Sequence, residues 1–400
     1  MQIRHRAWAQ IDLDAIANNV KEIRRIIGAS PKILASVKAD AYGHGFFEVT
    51  KTLIENGVEI LGVAFTDEAL QLRQAGFDCP VMILGHTHSN DCEILLENNI
   101  TPTVFSTEFA ENLSKTAIKL NKTAKIHIKI DTGMGRIGFI FNDHLDTQTK
   151  TINHILSIAN LPNIEIEGIF THFARADEVD RSFTELQFSR FMSLIEQLES
   201  HGLNIPIKHT ANSAALIDFP ETHLDMVRPG IAIYGCSPSV DVDKDDHDKN
   251  KINLAPAMQF KTRISNLKWL EKDEPVSYGG TFITSDKTKV ATLPIGYADG
   301  YSRLLSNRGF VLANDKKVRI IGKICMDQCM IDATSVNNIS IDDEVILFGR
   351  NLNSEIPVEE VANLCGTISY EILCNIGKRV PRIYTQNGKF VNIVNYLLDK

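Results

Sequence analysis

Between Ile11 and Gly235 short apolar runs alternate with segments whose apolar residues recur at helical spacing. Eight runs stand out: Lys32–Val37, Glu59–Phe65, Pro80–Leu84, Thr101–Phe105, Ala124–Ile130, Ile164–Thr171, Ile205–Thr210 and Met226–Tyr234. Each is brief and most are rich in Val, Ile or Phe. They are continuous rather than alternating, the pattern of parallel strands buried on both faces. Among the helical segments, Asp12–Ile27 places Ile16, Val20, Ile23 and Ile27 on one face, with Asp12 as the N-cap. Ser182–His201 does the same with Phe188, Phe191, Leu194, Ile195 and Leu198. Eight strand-then-helix units in about 225 residues predict an α/β fold, a (β/α)8 TIM barrel. A doubly wound open sheet is the structural rival, and counting alone does not exclude it.

After residue 240 the pattern changes. The stretch 241–251 is polar and charged, cannot bury a core, and reads as an exposed connector. Beyond it, Ala257–Leu270, Lys289–Leu293, Phe310–Leu312, Lys317–Ile324, Gln328–Ile331 and Glu344–Phe348 are short strand-like runs punctuated by Gly, Asn and Asp. Val358–Cys365 and Tyr370–Ile376 are short helical pieces among them. The predicted organisation is a barrel over residues 11–240 and a mostly-β domain over 241–400, with 1–10 packing on the latter.

A chain of 400 residues supports two such cores. The net charge of −8, with no basic block, argues against nucleic-acid binding. No apolar run approaches the roughly 18 residues of a membrane span. Arg4, His5 and Arg6 are not followed by an apolar h-region, so a secretory signal is not expected. Seven scattered cysteines without a C-x-x-C pair read as reduced thiols in a cytoplasm rather than a disulfide framework or zinc site. His86 and His88 lack carboxylate or thiol partners at useful spacing, so no metal is expected.

A barrel directs attention to the C-terminal ends of its strands. Lys38 ends the first run, in Ala35-Ser-Val-Lys-Ala-Asp-Ala-Tyr-Gly-His-Gly45. It is either a lysine surfacing at the rim or a Schiff-base lysine with a desolvated amine beside a roomy pocket. Lys129 and Asp131 end the fifth run and precede the glycine loop Thr132–Gly138, in which Arg136 can grip a carboxylate. Spacing alone favours an ion pair of Lys129 with Asp131 or a neighbouring carboxylate. His172 closes the sixth run, where a lone histidine is by default a satisfied core residue. The seventh and eighth strands of such barrels frequently build phosphate sites. Here they supply His209-Thr-Ala-Asn212-Ser213 with a hydroxyl and a helix start, and Arg228-Pro-Gly230-Ile231 with a glycine turn. A reactive lysine at one strand end and a phosphate cup at two others suggest pyridoxal 5′-phosphate.

These motifs closely resemble those of the alanine racemase family, barrel-type pyridoxal phosphate enzymes. The resemblance runs through Ala35–Gly45, His127–Gly138, Met226–Gly235, Val276–Phe282, Thr292–Ser302, Gly322–Asp332 and Gly366–Pro381 in order. It implies interconversion of L- and D-alanine, supplying D-alanine for peptidoglycan, in a head-to-tail homodimer with shared sites. Lys38 would hold the cofactor and act as one base. Tyr278, in Ser277-Tyr-Gly-Gly280, would act as the other from the partner subunit. The resemblance gives Tyr42, Asn212, Ser213, Gly230, Ile231 and Tyr370 to cofactor binding, chiefly at the phosphate, and Arg228 to the pyridine nitrogen. His172 would bridge Arg228 and the tyrosine region. Arg136 and the partner's Met326 would take the substrate carboxylate. Lys129 would be carbamylated to orient Arg136, and Tyr297 and Asp327 would line the mouth of the site. A 241–251 segment this long and charged departs from the family.

Racemisation removes a proton from one face of Cα and returns it to the other, so two opposed bases are the simplest arrangement. Lysine and tyrosine, with ordinary pKa values of about 10.4 and 10, both need lowering, which nearby positive charge supplies. An arginine at the pyridine nitrogen keeps its own proton and so weakens the electron sink, trading rate for fidelity against transamination. A serine or broad-specificity racemase would keep all these residues. A barrel-type decarboxylase fits less well, because the Tyr278 motif and the Arg228-Pro-Gly-Ile231 turn are not its pattern. A single-barrel cofactor carrier would lack everything from Ala257 onward.

Overall fold

The computed structural model describes residues 5–238 and 252–398; the expected connector 241–251 lies outside them. Strand β1 (Ala7–Asp12) precedes a parallel barrel. Its strands are β2 (Lys32–Ser36), β3 (Ile60–Val63), β4 (Val81–Ile83), β5 (Ile100–Val104), β6 (Ala124–Asp131), β8 (Ile164–Phe170), β9 (Ile207–His209) and β10 (Met226–Val227), with a short β7 (Phe139–Ile140) beside β6. The order β10-β2-β3-β4-β5-β6-β8-β9 goes once around. Across the β9–β10 seam, Asp225 N–H donates to Lys208 O (3.0 Å) and Arg228 N–H to Ala211 O (2.9 Å), so the barrel is nearly closed. The closed topology disposes of the doubly wound rival. All eight expected runs carry a barrel strand, because both faces of each are covered. The last is the shortest: Pro229-Gly230 stops the run Met226–Tyr234, and only Met226 and Val227 pair before a tight turn over Ile231–Tyr234. Leu34, Ile60, Met82, Phe170, Ile207 and Met226 fill the barrel interior.

The first helix, Leu13–Ile27, begins where Asp12 accepts the N–H groups of Asp14 (3.0 Å) and Ala15 (3.4 Å). Ile16, Val20, Ile23 and Ile27 are buried on the face the sequence predicts. Strand β1 does not enter the barrel. It pairs antiparallel with Met258–Arg263 and parallel with Arg382–Gln386, inside the large mostly antiparallel sheet of the C-terminal half. The long apolar stretch Ala257–Leu270 divides into two strands, Met258–Arg263 and Asn266–Leu270. A single hydrophobic cluster runs from the outside of the barrel into this sheet. Among the described residues, no helix is long and apolar enough to cross a membrane.

One local feature ties the two halves together. After Val37 the chain makes a left-handed turn, with φ of 53°, 56°, 53° and 53° at Ala39, Asp40, Ala41 and Tyr42. L-residues resist this conformation by roughly 1–2 kcal/mol each, so neighbours must hold it. Glu68 accepts the Ala39 N–H (2.7 Å), and Asp40 accepts the Phe46 N–H (2.9 Å) and the Tyr396 hydroxyl (2.6 Å). From the second sheet, the buried Arg382 donates to Gly43 O (3.0 Å) and Tyr384 to His44 O (3.1 Å). His44 is fully buried against Tyr234, with Nδ1 3.0 Å from Tyr42 O and Nε2 without a partner.

Burial pushes the His44 imidazole from 6.5 down to about 3. The native state then binds fewer protons than the unfolded chain between these two values, so its stability is complete above pH 6.5 and falls as pH drops toward 3. In thermal melts across that window, His44→Phe should flatten the slope relative to the unmodified protein.

Candidate active site

A cavity of about 640 Å³ opens at the C-terminal ends of the barrel strands. Lys38 reaches it from the end of β2, Lys129 from β6, His172 from just past β8, Asn212 and Ser213 from past β9, and Arg228, Gly230 and Ile231 from past β10. Tyr42 arrives by the left-handed turn, Arg136 by the loop after β6, and Tyr370 from the C-terminal half. Eleven of the residues singled out in the sequence therefore line one cavity.

One end of the cavity is a cup of donors. Ser213 Oγ accepts the Gly230 N–H (2.8 Å) and the Ala232 N–H (3.4 Å). The Tyr42 ring stacks on Tyr234 at 4.8 Å and lies 6.0 Å from Tyr370, and its hydroxyl is 3.4 Å from Ser36 Oγ. A Cβ at Gly230 would lie 2.6 Å from the Tyr42 hydroxyl oxygen, so this glycine keeps the cup open. Asn212 is occupied structurally: its Oδ1 caps the helix Ser213–Asp218 by accepting the Ala215 N–H (2.9 Å).

The other end concentrates positive charge. Lys38, Lys129, Arg136 and Arg228 all line the cavity, and among the described residues no Asp or Glu does. Burial, then Arg136, lowers the Lys38 amine. Lys129 is held well below its ordinary range by burial and then by Arg228 and Arg136. The expected ion pair of Lys129, with Asp131 or a neighbouring carboxylate, does not form among the described residues. Asp131 instead accepts the N–H groups of Gly133 (2.9 Å), Gly135 (3.1 Å) and Arg136 (3.1 Å), shaping the loop, while Lys129 Nζ sits 4.8 Å over the Phe170 ring. Arg228 donates to Thr171 O (2.8 Å), Thr210 O (2.9 Å) and His209 Nδ1 (2.9 Å), with His172 Nδ1 at 3.4 Å. Burial brings the Arg228 guanidinium down to about 9, still protonated at neutral pH. Burial and Arg228 hold His172 well below its usual range, so it is neutral there.

Tyr278, Tyr297, Met326 and Asp327 do not line this cavity. They lie together on the second domain. Ser277 donates to Lys323 O (2.6 Å), the Tyr297 N–H to Cys325 O (3.1 Å), and Arg379 to Asp327 (2.7 Å). Tyr278 is 71% exposed, Met326 52% and Tyr297 43%. Sequence reasoning missed Phe170, His86, Leu84 and Cys374 in the lining. Phe170 was within reach, lying in a predicted strand; nothing in the sequence marks Cys374. Among the described residues no group of three or more His, Cys, Asp or Glu is placed to hold a metal ion.

A barrel with a buried lysine, an anion cup and an added β domain defines a class of two-domain barrel enzymes. Residues 11–238 match the profile "Alanine racemase, N-terminal domain" and residues 257–384 "Alanine racemase, C-terminal domain". The chain is 49% identical over 382 residues to an alanine racemase of Methanococcus maripaludis, covering 96% of this chain and 99% of that one. It is also 49% identical over 390 residues to one of Clostridium perfringens, covering 98% of each. Among solved structures, alanine racemase of Clostridium difficile 630 superposes with a TM-score of 0.91 at 39% identity, covering 99% of this chain and 100% of that one. Alanine racemase of Bacillus anthracis with bound L-Ala-P gives 0.89 at 38%, covering 99% of each. The chain belongs to the alanine racemase family and is an isomerase of that class.

Gly230→Ala should leave the fold intact and weaken capture of a phosphate-bearing cofactor at least about tenfold, by closing the cup against Tyr42. Titration of the apoprotein with pyridoxal phosphate, followed by absorbance, measures this.

Proposed function

We propose that the chain binds pyridoxal 5′-phosphate in this cavity and interconverts L- and D-alanine by two opposed bases, Lys38 and Tyr278 of the partner subunit. The observation that carries the reading is the lining itself: four basic side chains and, among the described residues, no carboxylate, beside a donor cup. Such a cavity demands anions, and a phosphate with a substrate carboxylate supplies them. The cofactor, when bound, draws electrons from the substrate Cα and makes its proton removable.

Lys38 would hold the cofactor, and its amine, lowered by burial and then by Arg136, would serve as the base on this side of the site once free. Ser213, Tyr42, Tyr370 and the backbone at Gly230 and Ile231 bind the phosphate, with Asn212 fixing the helix start beneath it. Arg228 would face the pyridine nitrogen and keep its own proton, favouring fidelity over rate. Arg136, whose guanidinium makes no hydrogen bond among the described residues, takes the substrate carboxylate together with the backbone at Met326 of the partner subunit. Lys129 is a candidate for carbamylation. Its neutral amine attacks carbon dioxide, an N–C bond forms, one proton leaves to water, and the resulting anion attracts Arg136. His172 joins Arg228 to the base contributed by the partner. Exposure of Tyr278 outside its own chain's cavity supports a head-to-tail homodimer in which each second domain serves the other barrel, with Tyr297 and Asp327 at the mouth. D-alanine for peptidoglycan, made in the cytoplasm, is the role that follows. The pocket also admits serine or a broader set of amino acids, since one hydroxyl changes binding little without a dedicated partner.

Chiral analysis of product from L-alanine, L-serine and L-lysine tests the activity. D-alanine should dominate; carbon dioxide release without inversion would move the chain to decarboxylation. Lys38→Ala and Tyr278→Phe should each lower turnover by roughly 10²–10⁴. Mixing and re-assorting the two inactive variants should restore about one quarter of the intact sites, because half the dimers are mixed and each carries one complete site. No recovery would refute the shared site. Intact mass under bicarbonate should show one added carbon dioxide that Lys129→Ala lacks.

A further inference from the structure

Behind Arg228, on the side away from the cavity, a line of polar groups crosses the barrel. His209 accepts from Arg228 at Nδ1 (2.9 Å), and its Nε2 is 2.8 Å from His127 Nδ1. His127 Nε2 in turn faces Glu167 Oε2 at 3.5 Å, and Lys125 donates to Glu167 at 2.9 Å near the opposite, N-terminal face. Both imidazoles are buried, and Phe170 stacks flat on His209 at 4.7 Å. Two features of the backbone build this line. A Cβ at residue 168 would lie 2.3 Å from the His127 ring, so only Gly168 gives the ring its place. In the pairing of β6 with β8, His127 opposes Gly168 while Ile126 opposes Ile166, leaving Glu167 as the extra residue of a β-bulge. Bulges re-aim side chains, and here the bulge brings Glu167 to His127.

The order of protons along the line is forced. Arginine only donates, so His209 Nδ1 is bare. A neutral His209 then carries its proton on Nε2 and donates to His127, whose Nδ1 is bare in turn. His127 therefore carries its proton on Nε2 and directs it at Glu167, which as a carboxylate only accepts. A proton added to either ring would set two N–H groups against each other.

We propose that Glu167, His127 and His209 are positioning residues, a one-directional donor line that locks the Arg228 guanidinium in the orientation it presents to the cavity. The inference rests on the reading of Arg228 as the group facing the cofactor ring. Other charged groups around the line agree with it. Burial first, then Arg228 and Lys32, hold the His127 ring down against the opposing pull of Glu167, and burial first, then Arg228 and Lys129, hold His209 well down. Glu167 is held at about 2 by His127 first and Lys125 next, so it remains an acceptor at any working pH. The remaining acceptors of Arg228 are two backbone carbonyls and His172, none of them charged. Glu167 supplies the line's one fixed negative end.

Selective ¹⁵N-histidine NMR of the full-length protein, with and without pyridoxal phosphate, reads the tautomers directly. In the unmodified protein His127 and His209 should both be neutral Nε2–H forms that do not titrate between pH 5.5 and 8.5. An Nδ1–H form, or titration of either ring in that range, overturns the proposal whether or not the chain racemises alanine. Glu167→Gln keeps an acceptor and should keep both tautomers, with kcat within about twofold. Glu167→Leu removes it and should bring in a second tautomer, lowering kcat roughly tenfold at unchanged KM for alanine and raising pyruvate released per racemisation. Unchanged tautomers and kinetics in Glu167→Leu would also overturn it. Absence of racemisation by the unmodified protein would instead refute the functional reading and leave the NMR outcome standing on its own.

Discussion

Four successive L-residues in a left-handed turn do not persist unless the surroundings over-determine them. Here the turn Ala39–Tyr42 is where the two halves of the chain grip each other. The second sheet sends in Arg382, Tyr384 and the Tyr396 that follows it, and the barrel sends in Glu68. What the strain achieves is placement. A right-handed helix after Val37 would carry Tyr42 along a different path. The left-handed turn returns it to the cavity beside Ser36, stacked on Tyr234 and close to Gly230, within five residues of Lys38. Lys38 and one wall of the cup beside it are thus set by one local conformation, and the second domain is needed to hold it.

The electrostatics follow from that geometry. With the turn folded, Lys38 joins Lys129, Arg136 and Arg228 around one cavity that, among the described residues, contains no carboxylate. Buried like charges are unfavourable, and the chain meets this in different ways at each site. Arg228 remains charged and spreads its donors over carbonyls and imidazoles. Lys129 is pushed toward neutrality over the face of Phe170, which leaves a nucleophilic amine. Arg136 stays at the open side. The positive field left over suits the cavity to dianions and carboxylates better than to neutral ligands.

The barrel was legible because strands buried on both faces read as continuous apolar runs, and the helices because their apolar residues repeat at 3.6. The site residues at strand ends were legible as oddities: a lysine after an apolar strand, a lysine within one, an arginine before Pro-Gly. The left-handed turn was not, since Lys38-Ala-Asp-Ala-Tyr42 has no local reason to avoid a right-handed helix and is overruled by residues some 340 positions away. The pairing of Lys129 with Asp131 looked natural at i and i+2. In a strand, however, those two side chains need not meet, and Asp131 is occupied with the loop amides. Glu167 was invisible for a similar reason. In Ile-Glu-Ile-Glu-Gly it reads as an ordinary solvent-facing position, and only the bulge, a property of the pairing rather than of the strand, turns it toward His127.

That bulge changes how the N-terminal face of the barrel should be regarded. In barrels of this kind that face is ordinarily assigned to stability and the opposite face to chemistry. A guanidinium buried without a carboxylate has no intrinsic preference among its rotamers strong enough to fix it, because neutral acceptors define direction only weakly. Two neutral imidazoles with a forced proton order convey the position of a distant carboxylate to it without placing negative charge in the cavity. A carboxylate set directly against Arg228 would hold it as firmly, but it would cancel the field on which anion binding depends. Keeping the charge at the far end of two histidines satisfies both demands, and Gly168 and the extra residue in β8 are the backbone adjustments that make room for it.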